Sequence, residues 1–586
     1  MSEQKTTDMS QHFYRAAAAD FMKIPGSPIA YWVSTRERNL YQSKELLENY
    51  FQPRKGLDTG ENDLFLRLWF EVSNNKSNLY NKNQDSKWYP YNKGGEFRRW
   101  YGNRDYLINW EDNGEAIKSR LTWTKKKPTI RNASYYFKEG MSWTTVSSGG
   151  FSARYSPPGA LFDNGGCTLF SETELDIAGS FINSSTASRY LEFLSPTLNF
   201  QPGNIAKILL KKDILDKETN FKLLVKISKQ DYDSYEYSWC FSSLTLLTRD
   251  IQNQKLSKNY ANLRALWLAD TQEMQRLEEE NNRIFIDAYG LQDELTPEVP
   301  LKEITLTCNP HYRYGGDLTE QEREDRLQSD TIAELLSYAI GCMMGRYSLD
   351  REGLVYAHAG NEGFADLVAE GAYKTFAADD DGILPLTEQE WFSDDVTNRI
   401  SEFVHTVWGE QHLEENLQFI ADSLCLYALK AKKGERALDT IRRYLSNQFY
   451  KDHLKTYKRR PIYWLFSSGK HKAFECLVYL HRYHEGTLAR MRAEYVIPLT
   501  ARINARINRL QEEAEAASST SERKQLMAEL KTLQNQQAEL ATFDEQLRHH
   551  ADQRISLDLD DGVKENYGKF GNLLDSVKAV TGKNND

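Results

Sequence analysis

The chain has 586 residues, 40% of them hydrophobic, 12% aromatic and 27% charged, which makes it too long for one hydrophobic core and too apolar to be disordered. About three or four domains are the expectation for this length. The formal net charge of −10 excludes a general polyanion binder, because the overall field repels phosphates, so any nucleic-acid contact has to be local.

In chain order, residues 1–50 read as a helical connector: a helix, a turn from Pro25 to Pro28, and a second helix from Arg36 to Tyr50. From 51 to about 245, Gly, Asn, Thr and aromatic residues accumulate. Short alternating runs such as Thr129 to Phe137 and Trp143 to Val146 mark this as the sheet-containing part. Residues 246–300 are expected to form a helical linker, because Leu263, Leu266, Trp267, Met274, Leu277, Ile284 and Phe285 recur at helical spacing and Gly290 supplies a stop. Residues 301–487 read as a mainly helical domain, with Ile304 to Cys308 as a strand and Asp379 to Leu386 as a loop entering another helix.

Residues 488–550 carry two amphipathic helices, with Ile503, Ile507 and Leu510 on the first and Leu526, Leu530, Leu533, Leu540 and Leu547 on the second. The turn from Ser518 to Ser521, with Thr520 or Ser521 as cap, predicts an antiparallel coiled-coil hairpin serving as a spacer or docking arm. Residues 551–586 form a C-terminal tail, frayed beyond Lys578. The fold class expected is therefore α+β, a mixed sheet-containing domain followed by mainly helical domains and the hairpin.

Cys167, Cys240, Cys308, Cys342, Cys425 and Cys476 form no Cys-x-x-Cys pair and have no His at zinc-site spacing, which points to a reducing compartment and no metal site. The opening residues lack a signal-like apolar core, and no apolar run reaches the roughly 18 residues that span a bilayer, so a cytoplasmic protein without a membrane partner is expected. Asp379, Asp380 and Asp381 could hold a divalent cation, but a solvated or helix-capping loop is the better reading. His481 and His484 are expected on the surface of a helix.

The positive charge is patchy. Lys55, Lys93, Arg98 and Arg99 lie among Gly56, Gly60, Gly94 and Gly95, and Trp100 and Tyr101 follow at once. Such residues offer phosphate donors, stacking faces and close backbone approach, although the same types also build an aromatic-rich sheet with solvated arginines. Lys125, Lys126, Lys127 and Arg131 extend this set. A second group, Lys458, Arg459, Arg460, Lys470 and Lys472, suits backbone phosphates or a solvated helix end equally, and Arg346 beside Gly345 is a further phosphate candidate. Asn309, Pro310, His311 and Tyr312 resemble the Asn-Pro-Pro-aromatic motif with which amino-methyltransferases grip an exocyclic amine. His311 replaces the second proline and no glycine loop for a methyl donor precedes it, so a turn after a buried strand explains Asn309, Pro310 and Tyr312 better.

Six segments, Phe21 to Trp32, Lys55 to Trp69, Trp88 to Tyr101, Leu198 to Gly203, Asn281 to Leu291 and Arg460 to Lys470, resemble the PglX adenine-specific DNA methyltransferases of BREX phage-exclusion systems. The resemblance implies the C-terminal, target-recognition half of such an enzyme, with residues 51–245 as the recognition region. The catalytic domain, with its S-adenosylmethionine loop and Asn-Pro-Pro-Tyr, would precede Phe21 and lie outside this chain. No cofactor is then expected here, S-adenosylmethionine belonging to the full-length enzyme, and the chain alone should bind DNA weakly and transfer no methyl group. The partners implied are double-stranded DNA, a methyltransferase domain in cis or trans, and other BREX proteins or phage DNA-mimic inhibitors. Two rival readings remain open: a complete but divergent adenine methyltransferase using Asn309 to Tyr312, and a protein-interaction scaffold of a defence complex.

Overall fold

A computed structural model of the chain describes residues 17–80, 85–120, 127–173, 175–248 and 253–582. The fold is α+β: helices predominate, with three small sheets among the described residues. Two units are present, each assembled from separate stretches of chain. The first comprises Met1–Leu66, Tyr80–Tyr232 and Leu268–Arg313, and the second Arg67–Leu79, Asp233–Trp267 and Tyr314–Asp586.

The first unit holds two sheets. One is antiparallel throughout, in the order Gln52–Arg54, Thr168–Phe170, Gly140–Trp143, Ala153–Ser156. In the other, Trp88–Asn92 pairs antiparallel with Tyr106–Asn109 and parallel with Leu161–Phe162, and Leu66–Leu68, where the chain leaves the unit, lies at the edge. Leu57, Tyr91, Ile108, Leu161, Phe162 and Phe170 form their shared core. The backbones approach so closely that a Cβ on Gly56 would sit 1.9 Å from the Phe162 carbonyl oxygen, and one on Gly166 2.2 Å from that of Asn92. Gly56, read from sequence as room for a ligand, is therefore spent on the chain's own packing.

Helix Ser185–Leu194 is capped by the Ser184 hydroxyl, which accepts from the Ala187 amide at 3.2 Å, and buries Ala187, Tyr190, Leu191 and Leu194 at helical spacing. The 34-residue helix Leu256–Tyr289 contributes Leu268 onward to this unit, where Phe285 and Tyr289 pack on Phe181. Gly290, at φ +63°, ends it as expected, and the Leu291 amide donates to the Ile286 carbonyl at 2.9 Å in a Schellman closure.

In the second unit Glu475–Tyr479 is the central strand between Tyr463–Ser467 and Ile383–Pro385. Ile383–Pro385 corrects the expected loop-to-helix transition, the chain after Asp379 to Asp381 entering a buried strand instead. Helices Ile497–Ala516 and Thr520–Asp552 run antiparallel, since Arg506 pairs with Glu529 at 2.8 Å, the Gln537 amide donates to Asn504 at 2.7 Å, and Arg492 pairs with Asp544 at 2.7 Å. Ser519 is the cap, one residue before the expected Thr520. This hairpin is not a free arm along its length: Leu499, Ile503, Leu540 and Phe543 share one core with Trp464, Phe466 and Phe474 of the sheet. Glu539 closes the tip of the strand hairpin, accepting from the His471 amide at 2.6 Å, the Ala473 amide at 3.2 Å and the Ser468 hydroxyl at 2.7 Å. The expected frayed tail is corrected as well, because Tyr567, Phe570, Leu573, Val577 and Val580 belong to the same core, and helix Val577–Thr581 runs past Lys578.

A buried polar cluster sits elsewhere in this unit. Arg346 is fully buried, donates to the hydroxyls of Tyr347 at 3.1 Å and Tyr479 at 3.0 Å, and faces the ring of Trp69. Glu236 accepts from the Tyr457 hydroxyl at 2.9 Å, and burial pushes its carboxyl up to about 7 against the opposing pull of Tyr457 and Arg346. Arg346 is thus a core cation and not a phosphate ligand.

Two measurements test these contacts. Glu539→Ala leaves three donors at the hairpin tip without their acceptor and should cost about 2 kcal/mol in urea unfolding of the second unit. The Glu236 carboxyl binds its proton more tightly folded than unfolded, so its contribution favours the folded state at low pH and is lost as pH rises from about 4.5 to about 7. Glu236→Gln should remove that share of the slope, up to about 3 kcal/mol, in unfolding series across the interval.

Candidate nucleic-acid interface

The loop between strands Trp88–Asn92 and Tyr106–Asn109 carries the richest cluster of sequence candidates, and it turns inward. Trp100, at φ +68°, is fully buried; its amide donates to the Ala153 carbonyl at 2.9 Å, and the Tyr155 amide donates back to its own carbonyl at 2.7 Å. Gly102, at φ +128°, makes the return possible, since a Cβ there would lie 2.4 Å from Arg98 Cδ.

Arg99 pairs with Glu278 at 2.8 Å and Glu303 at 3.0 Å, and the Trp100 indole N–H donates to Glu278 at 2.7 Å. Burial pushes the Glu278 carboxyl above its usual range even though Arg99 and Trp100 pull the other way. Arg98 donates to Thr307 Oγ1 at 2.9 Å, lies 3.7 Å from the Asp231 carboxylate and stands over the rings of Tyr232 and Tyr312. Tyr101 is buried edge-on against Tyr232. Arg98, Arg99, Trp100 and Tyr101 therefore present no stacking face or phosphate fork to solvent, which corrects the sequence reading. The physical reason is non-local: their acidic partners lie 133 to 204 residues away in sequence, and a buried carboxylate requires a cation and donors.

Of the remaining candidate cations of this unit, Lys55, Lys127 and Arg131 lie on adjoining segments. Asp58 and Thr129 exchange backbone hydrogen bonds of 2.9 and 2.8 Å, and the Asn132 amide donates to the Lys55 carbonyl at 2.9 Å, so exposed Lys127 and Arg131 run beside half-buried Lys55. Lys55 Nζ reaches Gln201 at 3.3 Å, and Lys93 lies over the Tyr106 ring at 5.8 Å. Lys125 and Lys126 fall outside the described residues.

Next to the inward loop is a small polar pocket lined by Asn92, Gly94, Gly102, Asn103, Arg104, Ser142, Arg154, Tyr155 and Ser156, with room for one oxygen-sized group, about 10 Å³. Arg154, missed by the sequence reading, is 3% exposed. Its guanidinium donates at 3.4 Å to the Arg98 and Ser152 carbonyls and at 3.2 Å to Thr144 Oγ1, and among the described residues no carboxylate pairs with it. Burial, with Arg98 nearby, pulls it down to about 10. Ser142 stands directly across the strand pair from Arg154, and its buried hydroxyl has no partner. The only sequence signal was an arginine between Ala153 and Tyr155 in a short strand.

Asn309 is fully buried, and its amide nitrogen donates to the carbonyls of Leu301 at 2.7 Å and Ile304 at 2.9 Å while its oxygen accepts from the His311 amide at 3.1 Å. Pro310 opens the short helix Pro310–Arg313, and the Tyr312 hydroxyl donates to the Phe97 carbonyl at 2.6 Å. All three residues are committed to a turn, with no amide left for an exocyclic amine. The expected strand from Ile304 to Cys308 is corrected to irregular backbone, whose Thr307 and Cys308 amides donate to Asp231 at 2.6 and 2.9 Å.

In the second unit Lys458 and Arg459 are exposed in a left-handed turn, and Lys470 is exposed at the strand-hairpin tip. Arg460 donates to the Val580 carbonyl at 3.2 Å, and Lys472 is held by the Ser446 carbonyl at 2.5 Å and by Glu475 at 3.3 Å. Asp379 Oδ1 accepts the Asp381 and Gly382 amides at 3.1 and 2.7 Å, and Asp381 receives the Tyr495 hydroxyl at 3.0 Å, so these side chains shape a turn. His481 is buried and off any helix, facing the carbonyls of His358 at 2.8 Å and Phe70 at 3.1 Å, which corrects its expected surface position. Among the described residues no group of three His, Cys, Asp or Glu side chains could hold a metal ion, and no helix is long and apolar enough to cross a membrane.

Along nearly its full length the chain is homologous to part of larger proteins named adenine-specific methyltransferases. It is 51% identical over 569 residues to the adenine-specific methyltransferase BrxX of Escherichia coli O9:H4 (strain HS), covering 96% of this chain and 46% of that protein. It is 39% identical over 577 residues to the adenine-specific methyltransferase PglX of Lacticaseibacillus casei (strain Zhang), covering 95% of this chain and 45% of that one. The chain thus spans about half the length of the curated relatives it matches. No protein-family model matches it.

The inward reading of Arg99 has a direct test. Arg99→Ala leaves Glu278 buried without its cation and should cost about 3–5 kcal/mol, whereas Arg99→Met combined with Glu278→Gln should recover most of the loss. In Arg99→Ala the Glu278 carboxyl rises further, so the deficit should shrink as pH falls toward the ordinary carboxylate range, measured by thermal melts from pH 7 to 5.

Proposed function

We propose that this chain is the DNA-binding, target-recognition portion of an adenine-N6 DNA methyltransferase of a BREX-type phage-defence system. The observation that carries the reading is the similarity over 96% of the chain to one named adenine-specific methyltransferase, joined by a second at 95%. The first unit is the recognition part. In support of this, hydrogen bonds bring the segment of Lys127 and Arg131 beside Lys55, Lys93 stands over the Tyr106 ring, and Arg154 lines a small polar pocket. Lys458, Arg459 and Lys470 are a second set of exposed cations suited to backbone phosphates.

Base alkylation in this reading is carried out by a Rossmann-like domain in cis or in trans, which also binds S-adenosylmethionine. The sheets have three or four strands and pair mostly antiparallel among the described residues, unlike the mostly parallel sheet that such a nucleotide-binding fold needs. The committed amide of Asn309 agrees with that division of labour. Other BREX proteins or phage DNA-mimic inhibitors are further partners in this reading.

The chain should bind duplex DNA with an affinity that falls linearly on a log–log scale as salt rises, because phosphate contacts release counterions. Filter binding over a salt series measures it, and a flat response would sink the reading. Isothermal calorimetry with S-adenosylmethionine should give no saturable heat; saturable binding by this chain alone would return the donor site to these residues.

A further inference from the structure

Arg154 presents an uncompensated charge. A guanidinium taken out of water costs several kcal/mol unless it meets an anion, and native folds that bury one usually pair it. Arg98 has Asp231 and Arg99 has Glu278 and Glu303, so the inward loop neutralises its own cations. Arg154, equally buried, has only neutral acceptors at 3.2 to 3.4 Å. The ionisable groups acting on it are Tyr312, Arg98 and Tyr232, none of them a carboxylate.

Two further observations point to a ligand. The Ser142 hydroxyl, 5% exposed and opposite Arg154 on the neighbouring strand, has no hydrogen-bond partner. Both residues line a pocket whose other walls are Asn92, Gly94, Gly102, Asn103, Arg104, Tyr155 and Ser156, with a second guanidinium and no carboxylate among them. A site with a buried cation, an idle hydroxyl and no acid is built for negative charge. Its volume, about 10 Å³, admits one oxygen and not a base or a nucleotide.

We propose that this pocket receives one oxygen of a phosphate group, with Arg154 and Ser142 as its floor and Asn103 at its mouth. The site rests on the reading of this unit as a DNA-recognition part only for the source of the phosphate: a duplex backbone phosphate is the favoured source, and free phosphate is the other. A backbone phosphate seated there would fix the register of the duplex on the sheet without reading sequence.

The test uses the full chain and inorganic phosphate as probe. Phosphate should raise the melting temperature by about 2 °C beyond chloride at equal ionic strength. Ser142→Asp places a carboxylate across the strand from Arg154, so it should melt no lower than wild type without phosphate and lose the phosphate effect. Asn103→Asp, at the half-exposed mouth, should weaken the same effect and serves if Ser142→Asp does not fold. For duplex DNA, Ser142→Asp should reduce the salt slope by about 0.9, the value of one phosphate contact, with phosphate competing against the duplex.

Loss of the phosphate effect with unchanged duplex binding supports the site and assigns it to free phosphate. A wild type that shows no preference for phosphate over chloride, or an Asp variant that keeps the effect, overturns the proposal and leaves a water molecule in the pocket. A chain that binds no duplex while phosphate still stabilises it removes the DNA reading and keeps the anion site.

Discussion

A carboxylate held out of water dictates what surrounds it, and in the first unit that carboxylate is Glu278. Being 3% exposed, it must be met by charge and by donors, and it takes both from one loop, the Arg99 guanidinium and the Trp100 indole. That demand pulls the loop inward, forces Trp100 into a left-handed backbone conformation and sets Gly102 where a Cβ would collide with Arg98. The Trp100 backbone then bridges to Ala153 and Tyr155, which fixes the edge strand that carries Arg154. Glu278 on the long helix therefore makes Arg99 structural, as Asp231 does Arg98.

The second unit solves the same problem with different groups. Its buried cation, Arg346, is met by tyrosine hydroxyls and ring faces, while the nearby Glu236 is held toward its neutral form. Hydroxyls and π faces carry no net charge, so Arg346 is held by oriented dipoles and ring faces, with Glu236 acting on it only through space. Its burial also explains why Gly345 and Arg346 offer nothing to a phosphate.

Local features were legible in the sequence and long-range ones were not. Gly290 ended its helix because a left-handed closure needs only the neighbouring residues, and the turn at Ser518 to Ser521 was readable for the same reason, with the cap displaced by one residue. From Ile304 to Cys308 every residue is buried, Thr305 and Thr307 included, and the Thr307 and Cys308 amides are satisfied by a side chain, Asp231, and not by a neighbouring strand. The apolar–threonine alternation in sequence therefore marks no exposed face and cannot say who supplies the acceptors. The basic and aromatic cluster at Arg98 to Tyr101 misled in the same way: residue type showed what those groups can bind, and only the fold showed that Glu278, Glu303 and Asp231 bind them already. Arg154 escaped notice because one arginine in a short strand has no pattern.

These assignments leave a specific electrostatic logic. The chain carries a net charge of −10, so a polyanion is repelled at long range and is held only where cations are not already neutralised internally. Arginines with acidic partners contribute little to such a surface, since each pair is nearly neutral from outside. Among the candidate cations, those without an acidic partner are Lys55, Lys93, Lys127, Arg131 and the pocket residue Arg154 in the first unit, besides the exposed cations of the second. A sparse set binds weakly but positions well: lysines tolerate many phosphate placements, whereas a buried, immobile guanidinium accepts one. Under the proposed reading, Lys55, Lys93, Lys127 and Arg131 would set the affinity for a duplex and Arg154 its register.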